Sequence, residues 1–283
     1  MTQPLATWVD GEQRASLPAT DRGLQYGDGL FETIVCRTGK LRFLALHRER
    51  LQQGLDRLRI PFDAHAAGLT ADLERARQLA SAAAPAGAIV KLVVTRGDSQ
   101  ARGYHVTGQE SARRIVTVWP DTPLPDSTRT AGVAVRFGQL RLGENPALAG
   151  LKHLNRLELV LARMEWQDAG IFDALLADGN GDVVSGTMSN VFALQGQTLL
   201  TPPVDRCGIA GVMRAVVLRE AAAALGLTVS VARMSRAALL AADSIFLTNA
   251  RIGILPVREV AQHRFAIMPA VVDLMRQVER LDA

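Results

Sequence analysis

The run Pro120-Asp-Thr-Pro-Leu-Pro-Asp-Ser127 constrains this chain more than any other segment, because three of its first six residues are prolines. Proline has a fixed φ and no backbone N–H, so such a run can neither hold a strand ladder nor sit inside a helix. It divides 283 residues into two stretches, each long enough to bury a core. The reading is an N-terminal domain over residues 1–119, a linker over 120–127 and a C-terminal domain over 128–283.

Strand and helix signals mix on both sides of the linker. Thr7-Trp-Val, a turn at Asp10-Gly11 and a return strand predict a hairpin. Asp21-Arg-Gly-Leu-Gln-Tyr-Gly-Asp-Gly29 holds too many glycines to pack and reads as a shaped loop. Phe31 to Arg37 resumes as a strand and turns at Thr38-Gly39. Leu44, Leu51, Leu55 and Leu58 recur at helical spacing, and a second amphipathic helix spans about Ala66 to Ala82. Ile89 to Thr95, Arg114 to Trp119 and Gly132 to Phe137 read as strands. Leu154, Leu157, Leu161 and Met164 predict one face of a long helix. Hairpins turning at 178–181 and at 196–197 follow, then a helix from Gly211 to Leu225 stopped by Gly226. Strands at Val229–Ala232, Ser244–Thr248 and Leu255–Val260 and a last helix complete the chain. Many hairpins and few βαβ units make this an α+β chain of two α/β domains.

Composition removes several classes. An apolar share of 48% with 21% charge excludes wholesale disorder. No run of about 18 apolar residues is present, so no membrane span is expected. Met1-Thr-Gln-Pro-Leu lacks the basic and apolar regions of a signal peptide. Cys36 and Cys207 cannot supply a disulfide framework, so a cytoplasmic protein is expected. The net charge of +4 comes from scattered arginines rather than a stripe, which argues against a nucleic-acid partner. The five histidines, His47, His65, His105, His153 and His263, show no ligand spacing, so no metal is expected. Phosphate-loop, His-Glu-x-x-His and nucleophile-elbow motifs are absent.

Only three of the 32 basic residues are lysines: Lys40, Lys91 and Lys152. Arginine cannot form an imine, whereas lysine can, so any amine chemistry has three candidates. Lys40 sits in a hairpin turn, where a solvated cation is the ordinary outcome, and Lys91 lies in a strand facing solvent or an acid. Lys152 stands where a loop hands over to a helix, whose positive dipole end favours the neutral amine. By position alone Lys152 also suits a first-turn surface lysine.

The run Leu151-Lys-His-Leu-Asn-Arg-Leu-Glu158 resembles the Schiff-base lysine segment of the fold-type IV pyridoxal phosphate enzymes. That group holds branched-chain aminotransferases, D-amino-acid aminotransferases and 4-amino-4-deoxychorismate lyases. The resemblance extends over nearly the whole chain. It includes Asp21-Arg-Gly-Leu-Gln-Tyr-Gly-Asp-Gly-Leu-Phe-Glu-Thr33, His47-Arg-Glu-Arg-Leu51 and Met188-Ser-Asn-Val-Phe192. It continues through Cys207-Gly-Ile-Ala-Gly-Val-Met-Arg214 and Leu247-Thr-Asn-Ala-Arg251. Thr95-Arg-Gly with Arg102-Gly-Tyr is most similar to the lyase branch.

The resemblance implies a smaller N-terminal α/β domain and a larger C-terminal one, with pyridoxal 5'-phosphate in the cleft between them. It implies a homodimer that borrows site residues across its interface. Lys152 would carry the cofactor and then move protons. Arg50, the backbone N–H groups of Ile209 and Ala210, and Thr248 with Asn249 would hold the phosphate. Without the family, Arg50 reads as a solvated helix arginine, and Thr248 and Asn249 as strand-end turn residues. Tyr26, Arg96, Arg102 and Tyr104 are candidates for a small dicarboxylate substrate, against a default of surface residues. Most of the family pairs a glutamate with the pyridine nitrogen; here Ser185 stands in that place, and Asp182 is the nearest alternative acid. A hydroxyl holds the ring proton less well than a carboxylate, which favours elimination over amino transfer.

The activity so implied is conversion of 4-amino-4-deoxychorismate to 4-aminobenzoate and pyruvate, a step toward folate. The alternative is a branched-chain or D-amino-acid aminotransferase of the same fold. A third, from another class, is a basic binding protein, which would show no cofactor absorbance and a salt-dependent shift with nucleic acid.

Overall fold

In the computed structural model, which describes residues 3–99 and 101–281, Asp10 and Gly11 take φ values of 53° and 91°. Two successive positive φ values suit a two-residue hairpin joining twisted strands, and β1 (Ala6–Val9) and β2 (Glu12–Gln13) meet across it. The glycine-rich segment then departs from the expected loop and forms a short helix, α1 (Arg22–Tyr26). The Asp21 carboxylate accepts from the backbone N–H of Gly23 and Leu24, and Gly27 ends the helix at φ 66°. A cap and a glycine stop suffice for five residues, too few for any helical periodicity to be visible.

The first unit continues through β3 (Gly29–Arg37), β4 (Lys40–Leu41), α2 (Leu44–Leu58), α3 (Ala67–Ala83), β5 (Ala88–Thr95) and β6 (Arg113–Pro120). Its antiparallel sheet has the order β2-β1-β6-β5-β3-β4. Strand alternation sends Leu30, Ile34, Val90, Leu92, Val116 and Val118 to one face. There they form one core with Leu51 and Leu55 of α2 and Leu69 and Leu73 of α3. β4 pairs only with Cys36 and Arg37, which leaves the opening residues of β3 with an uncovered edge. Residues 152–154 fill it: Phe31 N–H donates to the Lys152 carbonyl at 2.9 Å, and Leu154 N–H to the Gly29 carbonyl at 3.0 Å. Unpaired backbone groups on a buried edge are costly, so this pairing fixes the lysine segment against β3. It is also why Leu151–Asn155 joins Met1–Pro123 in one contact unit.

The second unit holds Leu124–Gly150 and Arg156–Ala283. The expected linker is partly helical: α4 (Asp126–Ala131) begins directly after Pro125, which stands at the cap with extended backbone and, having no N–H, leaves no donor unmet there. Next come β7 (Val133–Arg141), α5 (Leu157–Arg163), β8 (Ile171–Ala177), β9 (Asp182–Gly186), β10 (Asn190–Gln195) and β11 (Thr198–Thr201). Helix α6 starts at Val212–Val216 and continues through a π-helical turn, Val217–Ala221, into Ala222–Ala224. β12 (Thr228–Val231), β13 (Met234–Ser235), α7 (Arg236–Leu240), β14 (Ser244–Asn249), β15 (Gly253–Val260), β16 (His263–Arg264) and α8 (Pro269–Leu281) finish it. The sheet runs β12-β11-β10-β14-β15-β7-β8-β9-β13, with β16 on β15. β9 also pairs with β10, so the path β10-β14-β15-β7-β8-β9 returns on itself. Its core includes Val135, Leu175, Val191, Ile245, Leu247 and Val257.

The long helix expected around Leu154 to Met164 is shorter, and its apolar face is not buried within the chain. Leu157, Val160, Leu161 and Met164 are 78%, 53%, 57% and 67% exposed. Periodicity reports that a helix has an apolar face, not which surface will cover it.

Candidate active site

In the first unit the site is built on β3. Alternation along this strand places Glu32 on the face of Leu30 and Ile34, and Phe31 on the opposite face. A carboxylate so placed is buried among apolar side chains and must find partners. Helix α2 supplies two, three residues apart on one face. His47 Nδ1 lies 2.6 Å from Glu32 Oε2, and Arg50 Nε donates to Oε1 at 2.8 Å while its Nη2 pairs with Oε2. Burial opposes charge on Glu32, but the Arg50 guanidinium and the His47 hydrogen bond outweigh it and hold the carboxyl at about 2. Burial lowers the His47 pKa, aided by the charges of Arg50 and Lys152 and opposed by Glu32. His47 is therefore neutral and donates through Nδ1, the only role a neutral ring can play toward a carboxylate.

Lys152 follows from the same strand. Its main chain is paired with β3, and its amine stands 4.3 Å from the centre of the Phe31 ring. Lys91 of β5 reaches the same ring at 5.5 Å, so two of the three lysines flank Phe31. Gly27 makes room for this arrangement: a side chain there would meet Asn155 Oδ1 at 2.5 Å, and Asn155 donates to the Gly27 carbonyl.

The substrate candidates divide. Arg96 is buried, and its guanidinium is taken up by the framework rather than free to grip a ligand. It donates from Nε and Nη2 to Asp28, from Nη1 to the Arg59 carbonyl and from Nη2 to the Leu58 carbonyl. The structure thus replaces the substrate role expected of Arg96 with a structural one. Arg102 and Tyr104 are exposed, and Tyr104 packs edge-on against Tyr26 with 5.4 Å between ring centres.

In the second unit, register builds a polar row. Asn190 of β10 pairs with Ser185 of β9 on one side and Thr248 of β14 on the other. Directly paired residues share a face, so the three side chains line up across three strands. The Asn190 amide donates to the Ile209 carbonyl at 2.9 Å, and a side chain on Gly211 would meet Asn190 Oδ1 at 2.1 Å. Below the row lies Asp173, fully buried, accepting from the backbone and hydroxyl of Thr187 and from the Ser189 hydroxyl. It fixes the loop that links Ser185 to Asn190. Among the described residues the buried Thr248 hydroxyl has no hydrogen-bond partner. Such a group costs about 1–3 kcal/mol when left unmet, and a ligand oxygen would satisfy it.

Two of the expected phosphate contacts are already occupied. Ala210 N–H donates to the Gly150 carbonyl at 3.0 Å, as part of a bridge that aligns Gly150 with Ile209. The Asn249 side chain accepts from the backbone of Arg251 and Ile252 and donates to Met188, tying the turn after β14. This leaves Ile209 and Thr248 as the second unit's candidates for that role. Glu32, His47, Asp173 and Asn190 were not singled out from the sequence. The signal for Glu32 was present, as a lone acid on the apolar face of an alternating strand, and His47 lay one helical turn before Arg50.

Comparison with known proteins gives a consistent picture. The family described as amino-transferase class IV matches residues 29–260. An aminodeoxychorismate lyase of Vibrio harveyi is 34% identical over 90% of this chain and 91% of its own. A putative branched-chain-amino-acid aminotransferase of Methanocaldococcus jannaschii is 31% identical over 88% and 84%. The crystal structure of 4-amino-4-deoxychorismate lyase from Pseudomonas aeruginosa superposes with a TM-score of 0.88 at 43% identity, covering 98% of this chain and 100% of that one.

Proposed function

The chain belongs to the class IV amino-transferase family, and from that premise we propose that it is a pyridoxal-phosphate-dependent lyase. Its reaction is the conversion of 4-amino-4-deoxychorismate to 4-aminobenzoate and pyruvate. What carries the reading is likeness to two aminodeoxychorismate lyases along nearly the full length of both partners. The test is release of pyruvate from aminodeoxychorismate, set against amino transfer to 2-oxoglutarate. Transfer without pyruvate would favour the aminotransferase reading that the Methanocaldococcus jannaschii relative supports.

The residues fit the cofactor. The buried Thr248 hydroxyl finds no partner among the described residues, a need that a phosphate oxygen would meet. Lys152 would hold the cofactor through its amine, Arg50, Ile209 and Thr248 its phosphate, and Ser185 would face the ring nitrogen. When bound, pyridoxal phosphate withdraws electron density from the amine-bearing carbon of the substrate. The Lys152 amine would take the proton from that carbon and return one to the departing three-carbon group. Substrate and products contain the same atoms, so one lysine that borrows and returns a proton needs no co-substrate. Glu32 and His47 hold Arg50 from behind, and Arg102 with Tyr104 would meet the substrate carboxylates.

Ser185 shapes the outcome. A hydroxyl leaves the ring nitrogen less protonated than a carboxylate does, which weakens reprotonation routes that lead to amino transfer. In Ser185→Glu the share of turnovers ending in amino transfer is expected to rise about tenfold or more relative to pyruvate release. The ratio of the two products, measured from one reaction, checks it; an unchanged ratio removes Ser185 from this role.

The apolar face of α5 supports assembly as a homodimer. Leu157, Val160, Leu161 and Met164 form a contiguous exposed stripe, of the kind that marks an interface. The double variant Leu161→Glu with Met164→Lys is expected to halve the mass measured by sedimentation at micromolar concentration. A wild-type monomer, or a variant that stays dimeric, would place the interface elsewhere.

A further inference from the structure

Arg22, the first residue of α1, is buried, and nothing in the chemistry above uses its guanidinium. Its Nε donates to Asp28 Oδ2 at 2.9 Å. Its Nη1 donates to the Gly103 carbonyl at 3.4 Å and the His105 carbonyl at 3.2 Å, and its Nη2 to the Tyr104 carbonyl at 3.3 Å. One guanidinium thus gathers three successive carbonyls of a segment between β5 and β6 that has no ladder of its own. The planar fork suits this task, because its donors are fixed in one plane and ordered once. The same group lies 5.1 Å from the centre of the Tyr26 ring, and Tyr26 packs on Tyr104.

Asp28 ties this clamp to the rest of the unit. It is shared with Arg96, which also holds the carbonyls of Leu58, the last residue of α2, and of Arg59, its cap. A continuous chain of charged hydrogen bonds therefore runs from the end of α2, through Arg96, Asp28 and Arg22, to the main chain of residues 103–105. The backbone there is pinned inward, whereas the Tyr104 side chain is 84% exposed and Arg102 is exposed beside it. A loop that presents side chains to a ligand needs that combination, since each ångström of wander in the backbone is lost affinity.

We propose that Arg22 is a positioning residue that sets where Arg102 and Tyr104 stand and so determines affinity for a dicarboxylate substrate. The inference rests on the substrate role given to those two residues under the proposed function. Arg22→Lys keeps the charge opposite Asp28 but cannot reach three carbonyls at once. In the holoenzyme, this variant is expected to raise KM for aminodeoxychorismate about tenfold, with kcat within about threefold and the cofactor absorbance unchanged. Hydrogen exchange at the amides of residues 103–106 is expected to quicken about tenfold or more. On an Arg102→Ala, Tyr104→Ala background the same change is expected to add less than about twofold to KM, because both side chains it positions are already gone. An unchanged KM, an undiminished effect on that background, or unaltered exchange at 103–106 would each overturn the proposal. If Arg22→Lys does not fold, Asp28→Asn loosens the same clamp and must quicken the same amides. Should wild-type protein release no pyruvate, the functional reading has failed, and exchange at 103–106 still decides whether Arg22 holds the loop.

Discussion

Lys152→Ala is expected to lower kcat for pyruvate release by about 10⁴-fold or more, the scale seen when a group that is both nucleophile and proton carrier is removed. The loss should be chemical rather than structural. Lys152 supports the fold through its carbonyl, which accepts from Phe31 N–H at 2.9 Å, and alanine keeps that carbonyl. Its amine packs on the Phe31 ring at 4.3 Å, an interaction worth about 0.5–1 kcal/mol when partly exposed. The melting temperature of the apo protein should therefore shift by only a few degrees. A small primary amine added to the variant is expected to restore part of the rate, because it supplies the missing proton carrier. Borohydride reduction of wild-type holoenzyme should leave its tag on the peptide containing Lys152. Lys91 provides the internal control, since it reaches the same ring at 5.5 Å. A tag on Lys91, or a Lys152→Ala variant within about a hundredfold of wild type, would move the chemistry to the other lysine.

Much of this is legible in the amino-acid sequence. The contacts divide after Pro123, inside the proline run, but return residues 151–155 to the first unit, and the hairpin turns sit where Asp-Gly and Thr-Gly pairs demand positive φ. The scarcity of lysine reduced the search for an amine to three positions, all of which pair with β3: Lys40 from β4, Lys91 from β5 and Lys152 from the segment on its open edge. What sequence hid was pairing at a distance. Nothing local tells that residues 152–154 cover the open edge of β3, because the reason is the shortness of β4, over a hundred residues away. Arg96 and Arg102 look alike as letters, yet one is enclosed by Asp28 and the end of α2 and the other faces solvent. The same limit applied to Ala210, whose N–H is directed at Gly150. Periodicity found the apolar stripe of α5 but could not say that the chain itself leaves it uncovered.

Arg50→Met tests the other half of the first unit. The variant leaves Glu32, buried against the core, with His47 as the remaining partner of those described above. Breaking a buried pair from one side typically costs about 3–5 kcal/mol, because the surviving charge has lost its compensation. That loss is expected in urea unfolding of the apo protein at pH 8, together with weaker cofactor binding. The pH dependence then separates this cause from simple loss of packing. In wild type the Glu32 carboxyl is held at about 2, below its ordinary 4.5. Its contribution is therefore fully present above 4.5 and lost as pH falls toward 2. Without Arg50, burial pushes the carboxyl above 4.5, and the sign reverses: stability is greatest below 4.5 and lost as pH rises. His47, depressed by burial below 6.5, weakens both proteins as pH falls. The gap between variant and wild type should consequently narrow between pH 8 and pH 4. Adding Glu32→Gln to Arg50→Met should recover part of the loss at pH 8, since a neutral amide is cheaper to bury than an uncompensated carboxylate. A deficit that is constant across pH, and that Glu32→Gln deepens, would mean that Arg50 stabilises the unit by packing alone. In that case Glu32 would not be what orients Arg50 toward a phosphate.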